Sequence, residues 1–136
     1  MKQKLNILEN LHLIISTIIV VPVAFAYGIN PASILHYYFD FEVKTIDLSN
    51  IFRAIMFLYL CIAIIWLFGI LKSRFWFTAT ILNIAFMSGL ALGRILSFIL
   101  DGVPSLPFII GLFGEMILAV FSIYQLNKYK HKKSSF

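Results

Sequence analysis

Four apolar runs, each close to the length of a membrane crossing, dominate this 136-residue chain. They extend from about Leu11 to Tyr27, Ile51 to Leu71, Phe75 to Leu100 and Leu106 to Leu126. A helix rises about 1.5 Å per residue, so roughly 20 apolar residues cross a hydrocarbon core. The composition agrees: 61% of the residues are hydrophobic and 12% are charged. Soluble domains carry about 25% charged residues, so this chain has too little polar surface to face water all round. The sequence predicts one all-α domain, a transmembrane four-helix bundle, followed by a basic tail from residue 127 to 136.

Loop charge gives the orientation. Lys2 and Lys4 precede the first run, Lys72 and Arg74 separate the second and third, and Lys128, Lys130, Lys132 and Lys133 follow the fourth. The other two connections hold Lys44 with Asp40, Glu42 and Asp47, and then Asp101. Every basic-rich segment falls on one side of a four-span path, which places both ends in the cytoplasm. The net charge of +5 is thus a membrane-orientation signal. No basic patch interleaved with aromatics argues for nucleic acid.

The short connections at Lys72-Ser73-Arg74 and Asp101-Gly102-Val103-Pro104 predict antiparallel neighbours. The first connection, Gly28 to Ser49, is longer. In it Asn30-Pro31 reads as a helix cap followed by proline at the first helical position. The aromatic stretch from Ile34 to Phe41 then predicts a short helix at the outer surface or over the bundle. Tyr27, Trp76, Tyr124 and Tyr129 sit near run ends, as interfacial rings do. Ala24-Phe25-Ala26 has the outline of a signal-peptidase site. We read the first span as retained. The single cysteine, Cys61, reads as a buried small hydrophobe, without a partner for a disulfide or a metal.

Ionisable groups at membrane depth cost about 2.5–3.5 kcal/mol each at a helix centre, and they mark pathways, sites or fasteners. Arg53, just after Asn50 at the start of span two, lies roughly 5 Å below the outer boundary. Arg94, seven residues before Asp101, lies roughly 10 Å deep, and Glu115, eight residues after Pro107, roughly 12 Å deep. Together with Asp101 they form a set of two positive and two negative groups in the outer half. Isolation in lipid is excluded by cost, so the expectation is an interior polar cluster of Arg53, Arg94, Asp101 and Glu115 with Ser97 and Asn50.

In span three Thr80, Asn83, Arg94, Ser97 and Asp101 fall near one helical face. Beside them runs a ladder of small residues, Ala85, Gly89, Gly93 and Ser97, and span four repeats the pattern at Gly111, Glu115 and Ala119. Small residues at four-residue spacing let helices approach. The expected contact is span three on span four, with Arg94 facing Glu115. The cluster is either an outward-open polar pocket or a register-fixing salt-bridge network. The inner half reads as mostly apolar. Glu9, His12 and Ser16 share a face of span one, and a surface pair at the interface is the expected reading of His12 and Glu9. His36 and His131 read as solvated, and Pro22 as a kink in span one. No zinc-protease, nucleotide-binding, nucleophile-elbow or dinucleotide motif occurs.

Several features resemble one family. These are Gly28-Ile29-Asn30-Pro31, Asn50-Ile51-Phe52-Arg53-Ala54, Gly93-Arg94 followed by Ser97, Asp101-Gly102 with Pro104, and Glu115. Together they resemble the small bacterial membrane proteins grouped as domain of unknown function 4345, over nearly the whole chain. That family often has an acidic residue just before the Arg-Ala pair, and here the neighbourhood is Asn50 to Phe52. The resemblance implies a four-span protein of the bacterial inner membrane but supplies no activity. A more distant similarity to the DoxX-like group, some of which are tied to redox or thiol metabolism, is fold-level analogy.

The leading expectation is a non-enzymatic binding or accessory membrane protein in the lipid bilayer, with no cofactor and no metal. A homodimer or a second membrane protein is the candidate partner. The alternatives are a small transporter or a binder of polar or anionic ligands, and a DoxX-like oxidoreductase component.

Overall fold

The computed structural model describes residues 7–39 and 41–134. Lys2, Lys4, Asp40 and the chain's last two residues therefore lie outside the described residues. The rest forms five helices: α1 (Ile7–Gly28), α2 (Pro31–Phe39), α3 (Ile46–Leu71), α4 (Ser73–Asp101) and α5 (Leu106–Ser134). No strand occurs among the described residues. All but α2 are long and apolar enough to cross a membrane, so the chain is a multi-pass membrane protein.

The helix ends follow local chemistry. Thr45 caps α3, its hydroxyl accepting the Leu48 N–H at 3.1 Å. Because α3 starts at Ile46, Asn50 lies inside its first turns rather than at a boundary. Lys72 is the whole connection between α3 and α4, its N–H donating to the Phe68 carbonyl at 2.9 Å. Asn30 holds the start of α2: its carbonyl accepts from Ile34 N–H at 3.0 Å and its side chain from Ser33 N–H at 3.4 Å. After α4, Gly102 takes φ +98°, a left-handed backbone that side chains disfavour. α1 continues as helix through Pro22. α5 continues past Leu126 to Ser134 instead of giving way to a tail.

The strongest packing pairs are α1 on α3, α4 on α5 and α3 on α4; a looser α1–α5 seam closes the ring. α2 lies across the outer end, touching α1, α3 and α5, with its own Leu35 buried. Two glycines set the closest approaches. A Cβ on Gly28 would overlap the Met56 side chain, and one on Gly69 would overlap the Ala79 Cβ. The α1–α3 and α3–α4 crossings are pinned there, as small residues allow.

The core is thickest in the inner half, where Leu13, Trp66, Trp76 and Ala79 are fully buried. Trp76 is thus a core residue and not an interfacial ring. Its indole N–H donates to the Glu9 carbonyl at 3.2 Å, and its ring lies 4.7 Å from that of Tyr129. Cys61, expected inside, lies on the outer surface of the bundle. A run that is apolar on every face contains no periodicity to separate core-facing from lipid-facing positions.

Candidate functional site

One face of α5 is shaped around one arginine. Phe108, Gly111 and Glu115 follow each other at helical spacing and all meet Arg94 of α4. The Arg94 Nε donates to both carboxylate oxygens of Glu115 at 2.9 Å, and Nη2 donates to Oε1 at 2.8 Å. The Arg94 Cζ lies 5.3 Å from the centre of the Phe108 ring, within cation–π range. Gly111 lies beneath the guanidinium, and a Cβ there would sit 3.5 Å from Nη2. The glycine therefore faces the guanidinium at ordinary contact distance rather than another helix backbone. Tyr27 of α1 is a further electrostatic partner of Arg94. Both ion-pair side chains are largely shielded, at 20% and 11% exposure for Arg94 and Glu115.

The pair is saturated in charge but not in donors. A guanidinium carries five N–H donors; Glu115 engages the one on Nε and one on Nη2, and the Tyr27 side chain takes a further hydrogen bond. The remaining N–H donors are left for another acceptor.

Two cavities meet at Arg94. One, of about 450 Å³, lies between α3 and α4, with Phe52 and Ile55 on one wall and Gly89, Gly93 and Ser97 on the other. The second, of about 440 Å³, lies between α1 and α5, with Ile19, Val20 and Val23 facing Ile110 and Gly114. Tyr27, Phe39, Tyr59, Leu90, Arg94 and Phe108 line both. α2 contributes Phe39 as part of the roof, and its ring lies 5.3 Å from Phe108 and 6.1 Å from Tyr27.

The other expected members of the cluster stand apart. Asp101 is exposed and accepts from the Ser97 hydroxyl at 2.8 Å on its own helix. Arg53 and Asn50 are exposed, and among the described residues Arg53 enters no salt bridge. The four-charge cluster thus reduces to the Arg94–Glu115 pair. The reason is position: Arg53 and Asp101 lie close enough to the ends to leave the bundle interior, which depth along the chain does not reveal. The ladder of Ala85, Gly89, Gly93 and Ser97 is exposed, and nothing lies within 4 Å of a Cβ built on Gly89 or Gly93. Its Gly89, Gly93 and Ser97 instead form a wall of the first cavity.

The inner half is also different from the expected apolar layer. His12, Ser16, Thr80, Asn83 and Ser122 are fully buried there. His12 Nε2 lies 3.0 Å from the Thr80 hydroxyl, so His12 is a core residue and not half of a surface pair with Glu9. The Ser122 hydroxyl has two acceptors at 2.7 Å, Asn83 Oδ1 and the Leu118 carbonyl. Gln125 donates to the Leu8 carbonyl at 2.5 Å. The signal was present in the sequence: Ser122 and Gln125 interrupt an apolar run three residues apart, opposite the Thr80–Asn83 step of α4. His36 and His131 are exposed but lie in helices. No group of three or more potential metal ligands occurs among the described residues.

No curated protein and no solved structure matches this chain. The family model described as Domain of unknown function (DUF4345) matches residues 8–126, a stretch that includes Arg94, Glu115, both cavities and the buried inner network. The chain belongs to the DUF4345 family.

Proposed function

We propose that this protein binds a membrane-resident, largely apolar molecule carrying a neutral hydrogen-bond acceptor. The observation that carries this reading is the pair of aromatic-lined cavities converging on an arginine whose charge is matched and whose donors are not all used. Each cavity falls in the roughly 300–1,000 Å³ range of small-molecule sites. An anionic ligand would have to compete with Glu115, whereas a carbonyl can accept from the remaining N–H donors without disturbing the pair. The protein acts in this reading as a non-enzymatic binding component of a bacterial inner membrane, with its N and C termini in the cytoplasm.

Transport through the bundle is less well supported. Met87 and Leu118, both buried, lie one helical turn outward of Asn83 and Ser122. This apolar layer separates the inner network from the floor of the second cavity. The chain also supplies no second cysteine, so thiol-pair chemistry has no basis in its own residues.

The test is to purify the protein in mild detergent, extract bound molecules into organic solvent and identify them by mass. The comparison is the double variant Arg94→Met/Glu115→Met, which keeps side-chain volume and removes the polar pair. A molecule enriched on the wild type and lost from the double variant supports the reading. Equal recovery from both, or no enrichment on the wild type, rejects it.

A further inference from the structure

The two cavities have a common centre and separate arms, and their shape names a ligand class. Resting on the binding reading above, we infer that the occupant is a two-chain glycerolipid. One acyl chain lies between α3 and α4, the other between α1 and α5, and an ester carbonyl at the branch point accepts from Arg94.

Depth supports this assignment. α4 has 29 residues, so it is about 43 Å long, close to the roughly 40–45 Å of a bilayer with its headgroups. Arg94 is seven residues from the outer end of α4, or roughly 10 Å in. The headgroup layer occupies about 5–7 Å of that on each side. The guanidinium therefore sits just inside the hydrocarbon boundary, where the ester linkages of bilayer lipids lie. A charged phosphate would remain further out, near α2 and the Gly102 turn, and the neutral Arg94–Glu115 pair does not need it.

The arms are similar in size, about 450 and 440 Å³, and lie on different flanks of the same guanidinium. A single-chain molecule fills one and leaves the other. The arm walls also offer a clean handle. Gly93 borders the first arm and Gly114 the second, and a Cβ on either would meet nothing within 4 Å. Leucine at either position places its Cβ in open space beside an arm, and in a helix it improves on glycine.

The experiment uses delipidated, detergent-solubilised full-length protein in native mass spectrometry. The probes are dioleoyl phosphatidylglycerol and its single-chain lyso form, which share a headgroup and differ by one chain. Wild-type protein is expected to bind the two-chain lipid saturably and about tenfold or more tighter than the lyso form. Gly93→Leu and Gly114→Leu should each bring two-chain binding down to the lyso level while lyso binding changes less than about threefold. Equal wild-type affinity for the two lipids, with Arg94→Met/Glu115→Met still weakening both, overturns the two-arm assignment and leaves the binding reading standing. So does an effect confined to one glycine. Failure of the wild type to bind either lipid, or binding indifferent to the double variant, overturns both. The wild-type comparison needs no variant to fold.

Discussion

Arg94 shows how a charge is kept inside a membrane protein. Its partner, its aromatic neighbour and the backbone it lies against all come from one face of α5, at Glu115, Phe108 and Gly111. Removing one member leaves the other uncompensated in a poorly hydrated interior, which is costlier than removing both. Glu115→Gln should therefore destabilise the protein by about 2–3 kcal/mol. Arg94→Met/Glu115→Met should lie closer to wild type than either single change. Unfolding followed by circular dichroism in mixed detergent micelles would measure this, and a double variant worse than both singles would contradict the account. In the inner network, Thr80→Val should cost about 1 kcal/mol by removing the hydroxyl that meets His12, readable in the same assay. The Arg94–Glu115 pairing was legible in the sequence because both charges fall deep in neighbouring runs at similar depth. For Arg53 and Asp101, chain position gives depth but not the direction in which a side chain leaves its helix, and both are exposed. His12 was under-read for the converse reason: a histidine near a run end looks interfacial until Thr80 of another helix is seen against it.

At the scale of helices, the glycines divide by what surrounds them. Gly28 and Gly69 mark tight crossings, while Gly89, Gly93 and Gly114 face open space. Gly69→Leu should thus destabilise the α3–α4 hairpin by about 1–3 kcal/mol through overpacking, whereas Gly93→Leu should stay within about 0.5 kcal/mol of wild type. Thermal unfolding of the two variants side by side checks the contrast; similar losses would place Gly93 in a contact that the structure does not contain. The four long helices and the capped α2 could be read from run length and from Asn30-Pro31. Which glycines pack could not. The ladder at four-residue spacing on α4 is the more conspicuous pattern, yet its Gly89, Gly93 and Ser97 line a cavity, while Gly28 and Gly69 stand alone in the sequence and are identified only by Met56 and Ala79 opposite them.

For the molecule as a whole, the bundle is divided along the membrane normal. The inner half is packed around Trp66, Trp76 and a buried polar network, and the outer half is open around Arg94 beneath α2. The apolar turn at Met87 and Leu118 separates the two. An asymmetric interior of this kind suits a protein that admits a molecule from the side and holds it, because the cavities lie between helices and Met87 and Leu118 floor the second. The basic residues Lys72 and Arg74 at the α3–α4 turn, against Asp101 at the α4–α5 turn, fix the expected orientation. In a Cys61→Ser background, a cysteine at Gly102 should react with a membrane-impermeant maleimide on intact cells, and one at Ser73 only after the membrane is opened; the reverse pattern would invert the topology. The most direct test of the central claim is photocrosslinking with a lipid bearing a diazirine midway along one chain, followed by peptide mapping. Adducts are expected on the cavity walls, at Leu90, Phe108 and their neighbours, and should disappear in Arg94→Met/Glu115→Met. Adducts confined to outward-facing positions such as Leu92 and Ile117, unchanged in that variant, would show that lipid only surrounds the bundle and that the Arg94 cavities hold none.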